Sequence, residues 1–192
     1  RLGFGLLNSF HKHKPEAFKK TDSHILLFIF LAVNILSLNG QSIYPDSILC
    51  SNHIFNEKIK TVQLYKEGWN LSYPLIKLNS NEKLMFSFDL LDYQPETYYY
   101  TFIHCDKDWN RSDIFTNDYL TGYPENPIED YESSFNTTVS YYHYKLSFPN
   151  DRVSLSISGN YILAVYSADN PEKPAITQRF IVTEDALKIN LT

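Results

Sequence analysis

Residues 83–91 read Lys83-Leu84-Met85-Phe86-Ser87-Phe88-Asp89-Leu90-Leu91, KLMFSFDLL. Leu84, Phe86, Phe88 and Leu90 fall on one side, and Lys83, Met85, Ser87 and Asp89 on the other. Strict alternation of this kind marks a strand with one dry face. The same period appears on both sides of it. Upstream, IKTVQLYK (59–66) sets Val62 and Leu64 against Thr61 and Gln63, and Glu67-Gly68 signals a turn. GWNLSYPLIKL (68–78) follows, with Pro74 marking an edge strand or bulge because proline cannot donate to a central ladder. Downstream, TYYYTFIHC (97–105) puts Tyr98, Tyr100, Phe102 and His104 on one face and Tyr99, Thr101, Ile103 and Cys105 on the other.

Further along, EDYESSFNTTV (129–139), SYYHYKLSFPND (140–151), SGNYILAVYSA (158–168) and AITQRFIVTE (175–184) complete about eight strands, the last two joined by the turn DNPEKP. No amphipathic helix is convincing. Turn-spaced strands predict an all-β fold, an antiparallel two-sheet sandwich of immunoglobulin-like type. The disulfide and buried tryptophan of antibody domains are not matched by Cys50 and Cys105. Between Asp106 and Ile128 lies a long irregular stretch containing GYPENP (122–127), of the length that often carries function.

The chain has 192 residues, 43% hydrophobic and 20% charged, which suits one ordinary domain with additional segments. Its 15 Tyr and 13 Phe favour strands, and its 6 Gly argue against phosphate-cradling loops. A basic stretch (HKHKPEAFKK, 11–20), the apolar run Ile25–Val33 and a small residue at Gly40 predict a signal peptide over 1–40, cut before Gln41. The apolar run is shorter than the roughly 20 residues a membrane span needs; extended to Leu38 it admits Asn34 and Ser37 and leaves an uncleaved anchor as the alternative, while after cleavage no membrane insertion is expected. Residues 41–57 read as a lead-in arm, 58–185 as the sandwich domain, and 186–192 (with LKINLT) as the start of a following segment. Residues 1–40 hold 5 of the 17 basic and 2 of the 22 acidic side chains, so the remainder carries 12 against 20, a net charge of −8. Nucleic acid and anionic membrane surfaces do not attract such a domain.

The densest reactive chemistry is FIHCDKDW (102–109). Adjacent strand residues face opposite ways, so His104 and Cys105 cannot act as a base–nucleophile pair with each other. Asp106, Asp108 and Asn110 open like a calcium loop. The sixth position is Arg111 and the twelfth Asn117, where glycine and glutamate are needed. An Asx turn closing the strand is the simpler reading. No Cys-x-x-Cys or His-x-x-x-His pair exists to suggest zinc, and no cofactor or small-molecule substrate is expected. Cys50 and Cys105 are a candidate disulfide, permitted in an exported protein but not fixed by sequence. The tyrosine runs 98–100 and 141–142 leave open a carbohydrate-binding or accessory sandwich on a secreted or surface protein.

FIHCDKDWNRSD, YLTGYPENPIEDYESSFNTTVSYYHYKLSFPND, SGNYILAVY and TQRFIVTE, in this order and spacing, resemble the N-terminal domain of the type IX secretion system plug proteins of Bacteroidetes, over about residues 59–184. The resemblance implies a non-enzymatic domain, associated with the outer membrane from the periplasm, that closes the large translocon barrel while no cargo is engaged. The barrel protein is then the expected partner. Trp109 and the Gly122–Ile128 loop, with Tyr123 and Asn126, are the candidate contacts, because exposed aromatics beside a long loop make good anchors.

Overall fold

The computed structural model describes residues 49–184. The expected signal peptide, the cut at Gly40 and the segment from 186 onward lie outside the described residues. Among the described residues no helix is long and apolar enough to cross a membrane.

Among the described residues twelve strands run in chain order: β1 (His53–Ile54), β2 (Ile59–Lys66), β3 (Leu75–Lys77), β4 (Leu84–Leu90), β5 (Tyr98–Cys105), β6 (Leu120–Gly122), β7 (Asn126–Ile128), β8 (Asp130–Ser133), β9 (Tyr142–Phe148), β10 (Val153–Leu155), β11 (Gly159–Ser167) and β12 (Asn170–Thr183). A short helical turn, Thr116–Tyr119, precedes β6. One sheet has the order β2–β4–β9–β8. The other has the order β1–β12–β11–β5–β7, with β3 added to the edge of β12. Neighbours are antiparallel except β3, which runs parallel to Ile181–Thr183. β6 and β10 form a separate short ribbon.

The KLMFSFDLL strand lies inside the four-stranded sheet, and its four alternating apolar side chains are fully buried. Aromatic rings join the two sheets across the core. Phe88 of β4 stacks on Tyr144 of β9 at 4.8 Å, and both meet the ring of Tyr98 from β5 edge-on at 5.2 Å. Phe102 of β5 and Phe180 of β12 pack on Phe148 of β9 at 4.9 and 5.2 Å. Such pairs add about 0.5–1.5 kcal/mol each to the burial of the rings themselves. The tyrosine hydroxyls inside this core are all satisfied. Tyr98 donates to Glu96 Oε2, Tyr144 to the Glu96 carbonyl and Tyr161 to the Ile157 carbonyl, while Tyr100 accepts from Asn150 Nδ2.

Four strands were not foreseen: β1, β6, β7 and β10. Each has two or three residues, too few to display a period. The 106–128 stretch is therefore not irregular throughout, since it holds the helical turn, β6 and β7. GWNLSYPLIKL contributes only Leu75–Lys77, immediately after Pro74 and on a sheet edge. DNPEKP is not a plain turn either. β12 begins at Asn170 and pairs irregularly there, with Ser167 opposite Asn170 and Tyr166 opposite Pro174. In β2 the alternation changes phase, because Ile59 is buried while Val62 and Leu64, out of step with it, are partly buried against the same core. A bulge between Lys60 and Gln63, with Thr61 at φ +52°, supplies the extra residue.

Candidate docking surface

His104 and Cys105 do face opposite sides of β5. The His104 ring meets Tyr161 and Tyr119 at 5.0 and 5.8 Å on the core side. Its Nδ1 lies 2.7 Å from Ser112 Oγ, which also donates to the His104 carbonyl. Burial holds the ring below its ordinary pKa. The pair ties the returning chain to the strand end, where Arg111 bridges back to Cys105. His143 lies in the other sheet and pairs with Asp89 at 2.6 Å.

Asp106 makes the Asx turn read from the sequence. Its Oδ1 accepts from the backbone N–H groups of Asp108 and Asn110 at 2.9 and 2.8 Å. These bonds, led by those from Asn110, hold its carboxyl below the ordinary value. Among the described residues, no three or more His, Cys, Asp or Glu side chains converge as a metal site.

Trp109 ends this turn in the left-handed conformation, φ +63°. The turn lays its ring beneath the Arg179 guanidinium, 4.3 Å from the ring centroid. There it packs with Tyr166 on a small second cluster, Cys50, Ile103, Cys105, Ile162 and Ala164, on the outer face of the six-stranded sheet. Trp109 is half-buried, and a good part of its surface is already committed to this domain.

The 122–128 segment is shaped by its backbone. Gly122 sits at φ +106°, and an added Cβ would stand 2.1 Å from the Arg152 carbonyl oxygen. Asn126 is 2% exposed and its Nδ2 donates to the Tyr123 carbonyl, so it closes the turn. Ile128 is 4% exposed and belongs to the core. The side chains of Asn126 and Ile128, taken as contact candidates, are therefore turned inward by β7, whose pairing with β5 demands it. Tyr123, by contrast, is broadly exposed, at 72%. Nor are the two candidate regions neighbours along β5: Trp109 follows its last residue, Cys105, while Asn126 pairs with Tyr100.

Other exposed apolar side chains lie on connections at both ends of the sandwich: Trp69, Leu71 and Tyr73 follow β2, Phe115 precedes the helical turn, and a further group lies at the Leu90 end. Leu90 pairs with Tyr142 and Tyr142 with Ser133. This brings the β4–β5 connection and the β8–β9 turn to one end of the sandwich. Tyr93 at 82% and Phe135 at 86% exposure, with Val139, project from these two connections, and Tyr142 donates from its hydroxyl to the Tyr93 carbonyl. Cys50, against Cys105, and the last residues of β12, opposite Gly159, lie at the other end. Large apolar residues in turn-rich segments were the available signal. The tyrosine runs, by contrast, do not form an exposed row, since Tyr98 and Tyr100 are buried in the core.

Residues 59–184 match the family described as type 9 secretion system plug protein, first domain. The chain is similar to a hypothetical protein from Parabacteroides merdae known from its crystal structure, at 34% identity and a TM-score of 0.67 over 69% of this chain. That match covers 33% of the Parabacteroides protein, so the chain spans about a third of that protein's length. The Pseudomonas fluorescens alkylpurine DNA glycosylase AlkC, bound to DNA containing an abasic site analog, aligns at a TM-score of 0.31 and 10% identity over 65% of this chain and 30% of that one, too loosely to inform fold or function. No curated protein matches the chain significantly.

Proposed function

The chain belongs to the type 9 secretion system plug family through that family's first domain, and from this premise we propose that it is a non-catalytic docking module which closes the outer-membrane translocon barrel from the periplasm. The family is one of transport components, not enzymes. The observation that supports the finer reading is that Tyr93, Phe135 and Val139 are exposed together on loops at one end of the sandwich, while Trp69, Leu71 and Tyr73 form a second exposed group in the β2–β3 connection at its other end. A densely packed body with anchors at one end can seat on a rim and leave as a unit. Release on arrival of cargo requires an interface of modest area with a polar border. The expected net charge of −8 for the exported part asks for a complementary, basic partner surface. Tyr123, exposed beside β6, extends the contact along one side.

The test is electrical. The barrel is purified with and without the full-length protein and inserted in planar bilayers. Closure predicts a large conductance for the barrel alone, reduced at least tenfold when the protein is restored. An unchanged conductance with the protein bound would leave docking and remove plugging. The carbohydrate-binding alternative would need an aromatic platform elsewhere than on Tyr98 and Tyr100. Retention of the domain on a glycan array would revive it.

A further inference from the structure

Cys50 and Cys105 come from segments 55 positions apart, yet their sulfurs lie 3.5 Å from each other and both residues are 2% exposed. The approach is built by the backbone around them. Arg179 donates from Nε to the Cys50 carbonyl at 2.9 Å and from its backbone N–H to Asn52 Oδ1 at 2.7 Å. Thr177 Oγ1 donates to the Ser51 carbonyl at 2.7 Å, and His53 and Ile54 pair with Thr177 and Ile176. On the other side, Cys105 is held in register opposite Asn160 and bridged to Arg111. A disulfide is about 2.05 Å long, so closure asks for about 1.5 Å of side-chain movement between seated backbones.

We propose that Cys50 and Cys105 form an intramolecular disulfide that fastens the 50–54 segment across the outer face of the six-stranded sheet. The two thiols give up two protons and two electrons. The oxidant is another disulfide, of a thiol–disulfide oxidoreductase or a small dithiol, and it departs as two thiols. One cysteine thiolate attacks the oxidant's S–S bond and expels the first thiolate, leaving a mixed disulfide. The second cysteine attacks its partner's sulfur in that mixed disulfide and expels the other. The hydrogen bond to Cys50, together with burial, pushes the Cys105 thiol up, so the first attack belongs to the state with the segment lifted, and reseating aligns the second. The segment is the natural part to lift: β1 is two residues long and the cluster beneath it small. This linkage holds whether or not the domain closes a pore.

The test uses the full-length protein, incubated folded with oxidised glutathione, then denatured in an alkylating agent and digested without reductant. The expected result is one Cys50–Cys105 cross-linked peptide pair that disappears with dithiothreitol. Thermal unfolding should also occur about 10 °C higher in the oxidised than in the reduced protein. A Cys50→Ser variant, which leaves the sandwich core untouched, should lose both the cross-link and the redox dependence of its unfolding. Full alkylation of both cysteines after oxidation, or cross-links only between molecules, would overturn the proposal.

Discussion

Tyr144 shows how a single hydroxyl ties the domain together. Its ring is buried against Phe88, and its oxygen both donates to the Glu96 carbonyl and accepts from the Glu96 N–H, at 2.8 and 3.0 Å. Burial pushes its hydroxyl pKa up to about 12, so it stays protonated at any ordinary pH. Tyr144→Phe keeps the ring but leaves two backbone groups unpaired. The expected loss is about 1–2 kcal/mol in urea unfolding, against about 3–5 kcal/mol for Phe88→Ala, which empties core volume as well. Equal losses from the two would contradict this division.

His104 sets a pH dependence. Its ring is kept below the ordinary value of 6.5 by burial, opposed weakly by the Ser158 backbone. The unfolded chain therefore takes up the proton first as pH falls. Stability from the neutral ring is complete above about 6.5 and is lost as pH falls through that value toward the lower folded one. The urea midpoint should decline between pH 7 and pH 5, and His104→Gln should flatten that slope. A slope unchanged by the substitution would assign the effect elsewhere. Gly159 opens β11 beside this ring. It is required because an added Cβ would stand 2.4 Å from His104 Nε2.

At the scale of elements, legibility followed length. β4, β5 and β9 have seven or eight residues, and their alternation was visible because each has one face on the aromatic core. β6, β7 and β10 are held by partners distant in sequence: Leu120 opposite Leu155, Asn126 opposite Tyr100. No local pattern records such pairing. The Asx turn at Asp106 was legible because its chemistry is local. The burial of Asn126 and Ile128 was not, because it depends on β7 joining β5. The 49–54 segment was equally hidden, being placed by Arg179, more than a hundred residues later. Arg179→Ala removes both its contact with Trp109 and its bond to the Cys50 carbonyl. In reduced protein, amide exchange at residues 50–54 should accelerate at least tenfold while β4 and β11 amides remain protected. Acceleration across the whole domain would show that the segment and the sandwich open together.

For the whole molecule, two sheets joined by rings make a body with little room for internal rearrangement, so binding is best carried by its connections. Cys50 and Val182 lie near the Cys105 end of β5, opposite the Tyr93 and Phe135 end. Phe135→Asp and Tyr93→Asp should leave thermal stability within about 0.5 kcal/mol, since both side chains are exposed. Each should weaken barrel binding about tenfold or more by placing an added negative charge in an apolar contact. Tyr123→Asp, on the flank, should weaken it less. Undiminished binding by all three would move the contact to another face.

The most direct measurement is affinity capture of the full-length tagged protein from detergent-solubilised outer membranes, with the co-purifying proteins identified by mass spectrometry. The account predicts a very large β-barrel protein in near-stoichiometric amount, lost when Tyr93 and Phe135 are both replaced by Asp. Capture of the tagged protein with no barrel would contradict it.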